Sequence, residues 1–441
     1  MTGRLPALLL LAAAAAPGPA TAAEDEGKPP NDPEAPLAIR VNQAIDSGVA
    51  YLKTRQFPMG NWDTEVQGDV LYDPNSSGNP YVHPTGCTSL ALYTLLKCGV
   101  PRDDPAIKKG FAWLKKTSGS SAKGGKSYSF RVPDGTYELA VLILAVEARA
   151  NPYKREKERE QDLKFRLKKG EKLKTGVKLD AEDEAWMKEL VAALVKRQVK
   201  SRGWRYGNWT GAAWHNGPRG DSDLSATNLA MLAFLAAERC GISQSDEFYK
   251  GMLRWTASMQ EKDGPEHRRW EPSVAASETQ VVNMDRARGF SYLVGSSREE
   301  ENQPTGSMTA CGLANIVICS SILEARDPEG KTFGVELQAL AEKAWWDGVA
   351  WLDYWWTVDR NVNKNSYHYY YLYCLERACD LKRINLLAGH PWYNEGAQVL
   401  VDEQQPGGKW DKKDTHRPHD VLNTCFALLF LNRSTPAITG D

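Results

Sequence analysis

The feature that most limits the fold is a phrase that occurs near both ends of the chain. Residues 48–62 read GVAYLKTRQFPMGNW and residues 396–410 read GAQVLVDEQQPGGKW. The two stretches share a glycine, a leucine and a Gln, Gly, Trp triplet at the same offsets. Such self-similarity is typical of folds built from repeated units. We therefore expect a repeat architecture.

Two kinds of helix alternate along the chain. In the first kind, apolar residues recur at helical spacing with charged residues between them, as on a helix with one solvent-facing side. The stretches of this outer kind are IRVNQAIDSGVAYLKTRQ, AIKKGFAWLKK, DEAWMKELVAALVKRQ, EFYKGMLRWTASMQ, LAEKAWWDGVAWLDYW and NEGAQVLVDEQ.

The second kind is apolar on nearly all sides and follows each of the first, so it must be buried on most sides. Its stretches are TSLALYTLLKCG, TYELAVLILAVEARA, ATNLAMLAFLAAERCG, MTACGLANIVICSSILEA, YYYLYCLERAC and NTCFALLFLNR. Six outer and six inner helices predict an all-α (α/α)6 toroid over residues 40–434, followed by a tail at 435–441. Insertions near 151–181 and 265–303 make the repeat spacing uneven.

The N-terminal residues predict export. Residues 1–23 contain Arg4, an apolar run and small residues, which is the pattern of a signal peptide and too short for a membrane span. Residues 24–39 are expected to be a disordered leader. We therefore expect a protein of the periplasm, cell envelope or extracellular space that does not span a membrane.

The overall charge gives no support for a polyanionic partner. With 55 basic and 56 acidic residues, no net field favours nucleic acid. The eight cysteines lie mostly inside apolar helical patterns, which favours small buried thiols over a disulfide scaffold.

The phrases QFPMGNW, QVKSRGW, QEKDG and QQPGGKW follow outer helices. Together with the sixfold alternation, they resemble the α/α-toroid superfamily of squalene and other terpenoid cyclases and protein prenyltransferase β subunits. The stretches YYYLYCLERACDLKRI and GHPWYNEGAQVLVDEQQPGGKW resemble in particular exported bacterial proteins with prenyltransferase and squalene-oxidase repeats. The resemblance implies a structural role for the Gln, Gly, Trp phrase and a central cavity whose polar rim comes from the loops that enter the inner helices.

The resemblance also identifies a candidate acid. Terpenoid cyclases of class II protonate their substrate with a D-x-D-D motif, and the nearest match here is Asp221-Ser222-Asp223-Leu224, which lacks the last Asp. Asp221 and Asp223 are therefore the predicted catalytic pair, because two close carboxylates can share a proton. The alternative is that Asp223 or Ser222 caps the third inner helix.

Other residues near the inner-helix starts are candidates for ligand binding. Many are aromatic, and four lie in the stretch GWRYGNWTGAAWHNG, whose rings have the alternative role of packing a loop on the rim. The predicted set is His83, Glu138, Trp204, Trp209, Trp214, His215, Asn228, Tyr367, His368, Tyr370, His416, His419 and Asp420.

No cofactor is predicted. The zinc-binding Asp-x-Cys of prenyltransferases is absent, since Asn423 stands before Cys425. His368, His416, His419, Asp420 and Cys87 could meet around a metal in a closed ring, although they form no spacing motif. In the related thioester domains of alpha-2-macroglobulin and complement proteins, a Gly-Cys-x-Glu-Gln lies at the start of an inner helix. Residues 86–90 here are Gly-Cys-Thr-Ser-Leu, without the Glu and Gln, which leaves Cys87 as a buried thiol or a disulfide partner of Cys425.

Three functions remain open from the sequence. The first is an exported squalene/terpenoid-cyclase-like protein that binds an apolar, isoprenoid small molecule; if it is an enzyme, it is an isomerase or lyase. The incomplete D-x-D-D and zinc motifs favour the second, a non-catalytic cell-envelope scaffold for a protein or glycan. The third is a carbohydrate-cleaving (α/α)6 enzyme, which requires a suitably spaced carboxylate pair.

Overall fold

The computed structural model describes residues 36–62, 84–118, 133, 135–151, 176–199, 203–205, 222–270, 283–327, 333–411 and 420–433. Within these ranges the structure is helical apart from one small antiparallel sheet, so the all-α class is confirmed. In chain order the helices are α1 (Leu37–Thr54), α2 (Pro84–Lys97), α3 (Pro105–Ser118), α4 (Thr136–Ala150), α5 (Ala181–Lys196), α6 (Leu224–Arg239), α7 (Asp246–Ser258), α8 (Glu299–Asn302), α9 (Gly306–Arg326), α10 (Val335–Tyr354), α11 (His368–Lys382), α12 (Trp392–Glu403) and α13 (Asp420–Asn432).

The six apolar helices contact one another in a closed cycle. α2 packs on α4, α4 on α6, α6 on α9, α9 on α11, α11 on α13, and α13 returns to α2. The amphipathic helices α1, α3, α5, α7, α10 and α12 each pack on at least one member of this cycle. α6 is buried along its whole length before its last residue, which explains why its sequence has no polar face.

The tryptophans of the repeated phrase tie three of the outer helices, α1, α5 and α12, to the inner helix that follows each of them. The indole Nε1 of Trp62, Trp204 and Trp410 donates to a leucine carbonyl oxygen ten residues earlier, at 2.7–2.8 Å. The backbone N–H of each tryptophan donates to a threonine hydroxyl in the following inner helix. These threonines are Thr88, Thr227 and Thr424.

The glutamines of the phrase join neighbouring outer helices. Gln56 Nε2 donates to the Ala106 carbonyl oxygen of α3 at 2.9 Å, and Gln260 Nε2 donates to the Ala344 carbonyl oxygen of α10 at 3.0 Å. Because a carbonyl without a partner costs about 1–3 kcal/mol when buried, each such amide holds two helices in register. The repeated phrase therefore has a structural role.

The insertion predicted near residues 265–303 contains the sheet. β1 (Glu266–Arg268) pairs antiparallel with β2 (Met284–Arg286), with Glu266 opposite Arg286. Residues 152–175 of the other insertion, and residues 1–35, lie outside the described residues.

One described helix, α9, is long and apolar enough to cross a membrane by its composition. Most of it is buried among the other helices of the structure. A buried core helix has the same length and apolar composition, so these two properties alone do not identify a membrane span.

None of the eight cysteines, all of which lie within the described ranges, forms a disulfide, and seven of them are buried. This includes Cys87 and Cys425, for which a disulfide was one expectation.

Candidate functional site

Hydroxyl groups meet across the centre of the ring. The Tyr137 hydroxyl of α4 lies 2.5 Å from Ser225 Oγ of α6, and Ser225 Oγ lies 3.1 Å from the Tyr370 hydroxyl of α11. Since α6 and α11 are not neighbours in the cycle, the second contact spans the ring. Tyr137, Ser225 and Tyr370 are called the hydroxyl layer below.

Thiols and aromatic rings extend the hydroxyl layer. The Tyr370 hydroxyl is 3.5 Å from Cys311 Sγ of α9, which in turn is 3.4 Å from Cys374 Sγ of α11. The Phe426 ring of α13 lies 5.4 Å from the Tyr370 ring and 5.3 Å from the Tyr373 ring. Burial raises the pKa of Tyr370 well above its usual value, so the Tyr370 hydroxyl stays protonated.

Some side chains in the N-terminal halves of the inner helices α4 and α13 are only partly buried. Tyr137, Leu422 and Phe426 are half-buried, whereas α6 is buried in this region. Leu422 lies one turn before Phe426 and so shares its face of α13. These side chains form an apolar surface next to the hydroxyl layer, which is called the central surface below. Such a surface suits a ligand that is mostly apolar and carries few polar atoms.

Asp223 lies two residues before Ser225 and caps α6. Its Oδ1 accepts from the Ala226 N–H at 2.7 Å, which confirms the capping alternative for this residue. Its Oδ2 has no hydrogen bond of normal geometry to a described residue, although the side chain is only 1% exposed. Capping therefore involves one of the two carboxyl oxygens, in a side chain that is almost fully buried.

Burial changes the acidity of Asp223. Burial raises the pKa of Asp223 to about 7, although the Ala226 N–H, Arg205 and the Tyr292 hydroxyl each lower it. Near neutral pH this carboxyl is therefore about half protonated. The other member of the predicted catalytic pair, Asp221, lies outside the described residues.

Three of the predicted ligand residues serve the fold. Trp204 is fully buried and is one of the three tryptophans that bind a leucine carbonyl. Asn228 Nδ2 donates to Asn315 Oδ1 at 2.9 Å, between α6 and α9. Glu138 folds back to accept from the Gly135 N–H at 3.2 Å, which caps α4. In this structure none of the three side chains belongs to the central surface.

Three others lie near the ends of α11 and α13 without joining the hydroxyl layer. His368 is buried, with Nε2 2.7 Å from the Val358 carbonyl oxygen, and Tyr367 is 52% exposed. Asp420 Oδ2 accepts from the Tyr51 hydroxyl of α1 at 2.5 Å. Of the predicted ligand residues that the structure describes, Tyr370 is the one that lies in the hydroxyl layer.

The sequence interpretation missed Tyr137, Ser225 and Phe426. Tyr137 and Ser225 occupy the second position of α4 and α6, and Ser307 occupies the second position of α9. A polar residue recurring at one helix position was the signal that could have identified Tyr137 and Ser225. The remaining predicted residues lie outside the described ranges: His83, Trp209, Trp214, His215, His416 and His419.

The described residues contain no group of three or more His, Cys, Asp or Glu side chains that could hold a metal ion. His416 and His419, which belonged to the possible metal set, lie outside the part of the chain that the structure covers.

No protein-family model and no curated protein matches the chain. Among solved structures, it is similar to the type II terpene cyclase MstE from Scytonema. One variant with its product, merosterolic acid A, gives a TM-score of 0.43 at 12% identity, covering 91% of this chain and 98% of that chain. A variant with the substrate geranylgeranyl dihydroxybenzoate gives a TM-score of 0.33 at 11% identity, covering 91% and 99%. Similarity at this level assigns no activity to this chain.

Proposed function

We propose that this chain is an exported, cyclase-like protein that binds an apolar, isoprenoid-class molecule on the central surface. The observation that carries the proposal is the uncharged hydroxyl layer of Tyr137, Ser225 and Tyr370 beside the apolar side chains of Leu422 and Phe426. A hydrocarbon chain gains by leaving water for such a surface, at roughly 25 cal/mol per Å² of apolar area. One polar head group can pair with the hydroxyls.

Asp223 is the proposed acid if the ligand is turned over. A carboxyl with a pKa of about 7 is still about half protonated near neutral pH, which suits general acid catalysis on an oxygen atom. The same pKa makes it a weak acid, so it favours a substrate with an activated oxygen, such as an epoxide, over a plain alkene. Asp221 is the proposed second member of the pair.

Native mass spectrometry of the purified protein, before and after denaturation, tests the binding proposal. We expect a released mass in the range of a lipid. Leu422→Trp places a larger ring on the central surface and is expected to reduce the released mass. Leu386→Trp is the matched control, because Leu386 is 42% exposed on the segment after α11. Equal ligand content in both variants would place the ligand elsewhere.

Asp223→Asn tests the acid role, because Asn also caps a helix but cannot donate the acid proton. Asp180→Asn is the matched control, since Asp180 caps the outer helix α5 through the Asp183 N–H at 2.8 Å. We expect Asp223→Asn to lose turnover and Asp180→Asn to keep it. Retained turnover would contradict the assignment of the acid.

The capping role of Asp223 favours a second candidate function, a non-catalytic cell-envelope scaffold for a protein or glycan. A structural role alone accounts for one of its oxygens. A protein that releases no small molecule and turns over no isoprenoid would favour this candidate.

A further inference from the structure

A cleft of about 280 Å³ lies on the outside of the ring, where α10 ends beside the segment that enters α9. Its lining includes the buried Pro304 and Trp351 and the exposed rings of Tyr354 and Trp355. Gln303 and Asn363 are exposed and contribute amide groups. This site is called the aromatic cleft below, and it is separate from the central surface.

The aromatic side chains of the cleft are exposed to an unusual extent for their size. Tyr354 is 47% exposed and Trp355 is 49% exposed. Fully burying a large apolar side chain contributes about 1.5–3 kcal/mol, so leaving both rings in water forgoes stability. The Tyr354 ring stands edge-on to the Trp355 ring at 5.1 Å, which fixes the relative orientation of the two. The exposed rings are therefore held in place.

Polar groups continue the aromatic surface beyond Tyr354. The Tyr354 ring lies 5.9 Å from the His267 ring, and His267 Nε2 is 2.7 Å from Asp353 Oδ2. His390 Nε2 is 2.9 Å from the other oxygen of the same carboxylate. Trp356 stacks on the His390 ring at 4.3 Å with an interplanar angle of 12°. Rings and hydrogen-bonding groups thus alternate along this surface.

The surface extends further to Trp270, which is 38% exposed. The Trp270 Nε1 atom lies against Gly389, where an added Cβ would come within 2.7 Å of it. Gly389 directly precedes His390, so Trp270 lies next to the His390 and Trp356 pair. The aromatic surface is therefore longer than the cleft itself.

We propose that the aromatic cleft binds one ring of a neutral oligosaccharide, with further sugar units along the surface toward Trp270. A pyranose ring has an apolar C–H face and an edge of hydroxyls. The face can lie on the Trp355 indole, while the hydroxyls pair with the amides of Gln303 and Asn363. The cleft volume of about 280 Å³ lies just below the roughly 300–1,000 Å³ range of ligand pockets, which suits a single ring.

The carboxylate of Glu261 adds a hydrogen-bond acceptor to the cleft. Its Oε2 accepts from the Gly289 N–H at 2.8 Å, and it also lines the cleft. Burial raises the pKa of Glu261 above its usual value. A carboxyl held by the backbone in this way presents a fixed partner for a sugar hydroxyl.

The polar groups argue against a dry protein interface at this surface. Burying His267, Asp353 and the cleft amides against apolar side chains leaves their remaining hydrogen-bonding capacity unmet, which costs free energy for each group. A sugar provides hydroxyl partners for these groups while its C–H face covers the rings. The mixture of rings and polar groups therefore favours a glycan over an apolar protein partner.

Titration calorimetry of the full-length protein against cellohexaose, chitohexaose and maltohexaose tests the proposal, with tryptophan fluorescence as a second readout. We expect at least one of the three to bind and to shift the fluorescence. Trp355→Ala is expected to weaken binding by about tenfold or more, which corresponds to a loss of about 1.4 kcal/mol. Trp355→Phe keeps a ring at the same position and is expected to lose less.

Val335→Ala serves as the surface control, because Val335 is 81% exposed at the start of α10, the end of that helix far from the cleft. It is expected to leave binding unchanged. If none of the three oligosaccharides binds, or if Trp355→Ala binds as the unaltered protein does, the proposal is wrong. A protein that copurifies with the chain and is lost in Trp355→Ala would also overturn it. Ligand release from the central surface is measured independently, so failure here leaves that proposal standing.

Discussion

The side-chain amide of Gln404 donates to the backbone carbonyl oxygen of Ala44 at 2.9 Å, across a separation of 360 residues. The same amide donates to the Gly408 carbonyl oxygen at 3.0 Å. This contact joins α12, the last outer helix, to α1, the first. It is the counterpart, at the closure of the ring, of the contacts made by Gln56 and Gln260.

Removing this amide is expected to weaken the closure. Gln404→Ala leaves the Ala44 and Gly408 carbonyl oxygens without this donor, so we expect the free energy of unfolding to fall by about 1–3 kcal/mol. Urea unfolding measures the change. Gln398→Ala is the control, because Gln398 makes an exposed bond to Asp402 within α12, and it is expected to change stability by less than about 0.5 kcal/mol. Equal losses would contradict a special role for Gln404.

The glycine of the repeated phrase is expected to be intolerant of a side chain. A Cβ at Gly48 would lie 2.8 Å from Leu428 Cδ2 and 2.9 Å from Trp410 Cζ3, both in the packed interior. We expect Gly48→Ala to cost about 1–3 kcal/mol through overpacking, measured by thermal and urea unfolding. Gly176→Ala meets nothing within 4 Å and is expected to be close to neutral. Similar free energies of unfolding for the two variants would show that the side chains around Gly48 can rearrange to accept a methyl group.

The buried thiols are expected to resist alkylation in the folded protein. Cys311 and Cys374 lie 3.4 Å apart, well beyond the roughly 2.05 Å of a disulfide bond. Burial and the nearby Glu147 raise the pKa of Cys240, the least buried thiol, to about 12. Iodoacetamide is therefore expected to modify the native protein slowly and to add eight groups after denaturation. Six groups and a mass lower by two hydrogens would reveal a disulfide instead.

The repeat architecture was predictable because its signals are local. The apolar periodicity of each helix and the spacing of Gln, Gly and Trp can be found within a single stretch, and they recur. Trp204 belongs to the phrase QVKSRGW, so its burial was predictable from the same pattern that placed Trp62 and Trp410.

The hydroxyl layer was not predictable from the same local signals. Ser225 and Tyr370 are separated by 145 residues, and their contact depends on the rotation of α6 and α11 about their own axes. Inner helices that are apolar on all sides carry no periodicity that fixes this rotation. The exposed cleft at Tyr354 and Trp355 escaped notice for a related reason, since the sequence of α10 does not show which of its many aromatic residues remain uncovered.

The pKa of Asp223 predicts how stability depends on pH. It is about 7 in the folded protein and 3.8 for an ordinary Asp, so the folded state holds the proton more tightly. The protonated carboxyl contributes up to about 4 kcal/mol to the free energy of unfolding. This contribution is fully present below about pH 4 and is lost as pH rises through about 7. Glu376, buried beside Arg377, has a pKa shifted in the same direction to about 7 and adds to the decline. Asp223→Asn is therefore expected to make the free energy of unfolding depend less steeply on pH.

Urea unfolding of the unaltered protein, Asp223→Asn and Asp180→Asn between pH 4 and 8 measures this contribution. The Asp223 variant should lose less stability than the unaltered protein as pH rises, because an amide does not ionise in the interior. The Asp180 variant changes a capping Asp whose side chain is 62% exposed in its ion pair with Arg149, so its curve should parallel that of the unaltered protein. Parallel curves for all three proteins would mean that Asp223 ionises at its ordinary pH, with a water molecule or a residue outside the described ranges stabilising its charge. A charged Asp223 cannot act as the proposed proton donor, so that result would also remove the acid role while leaving ligand binding on the central surface intact.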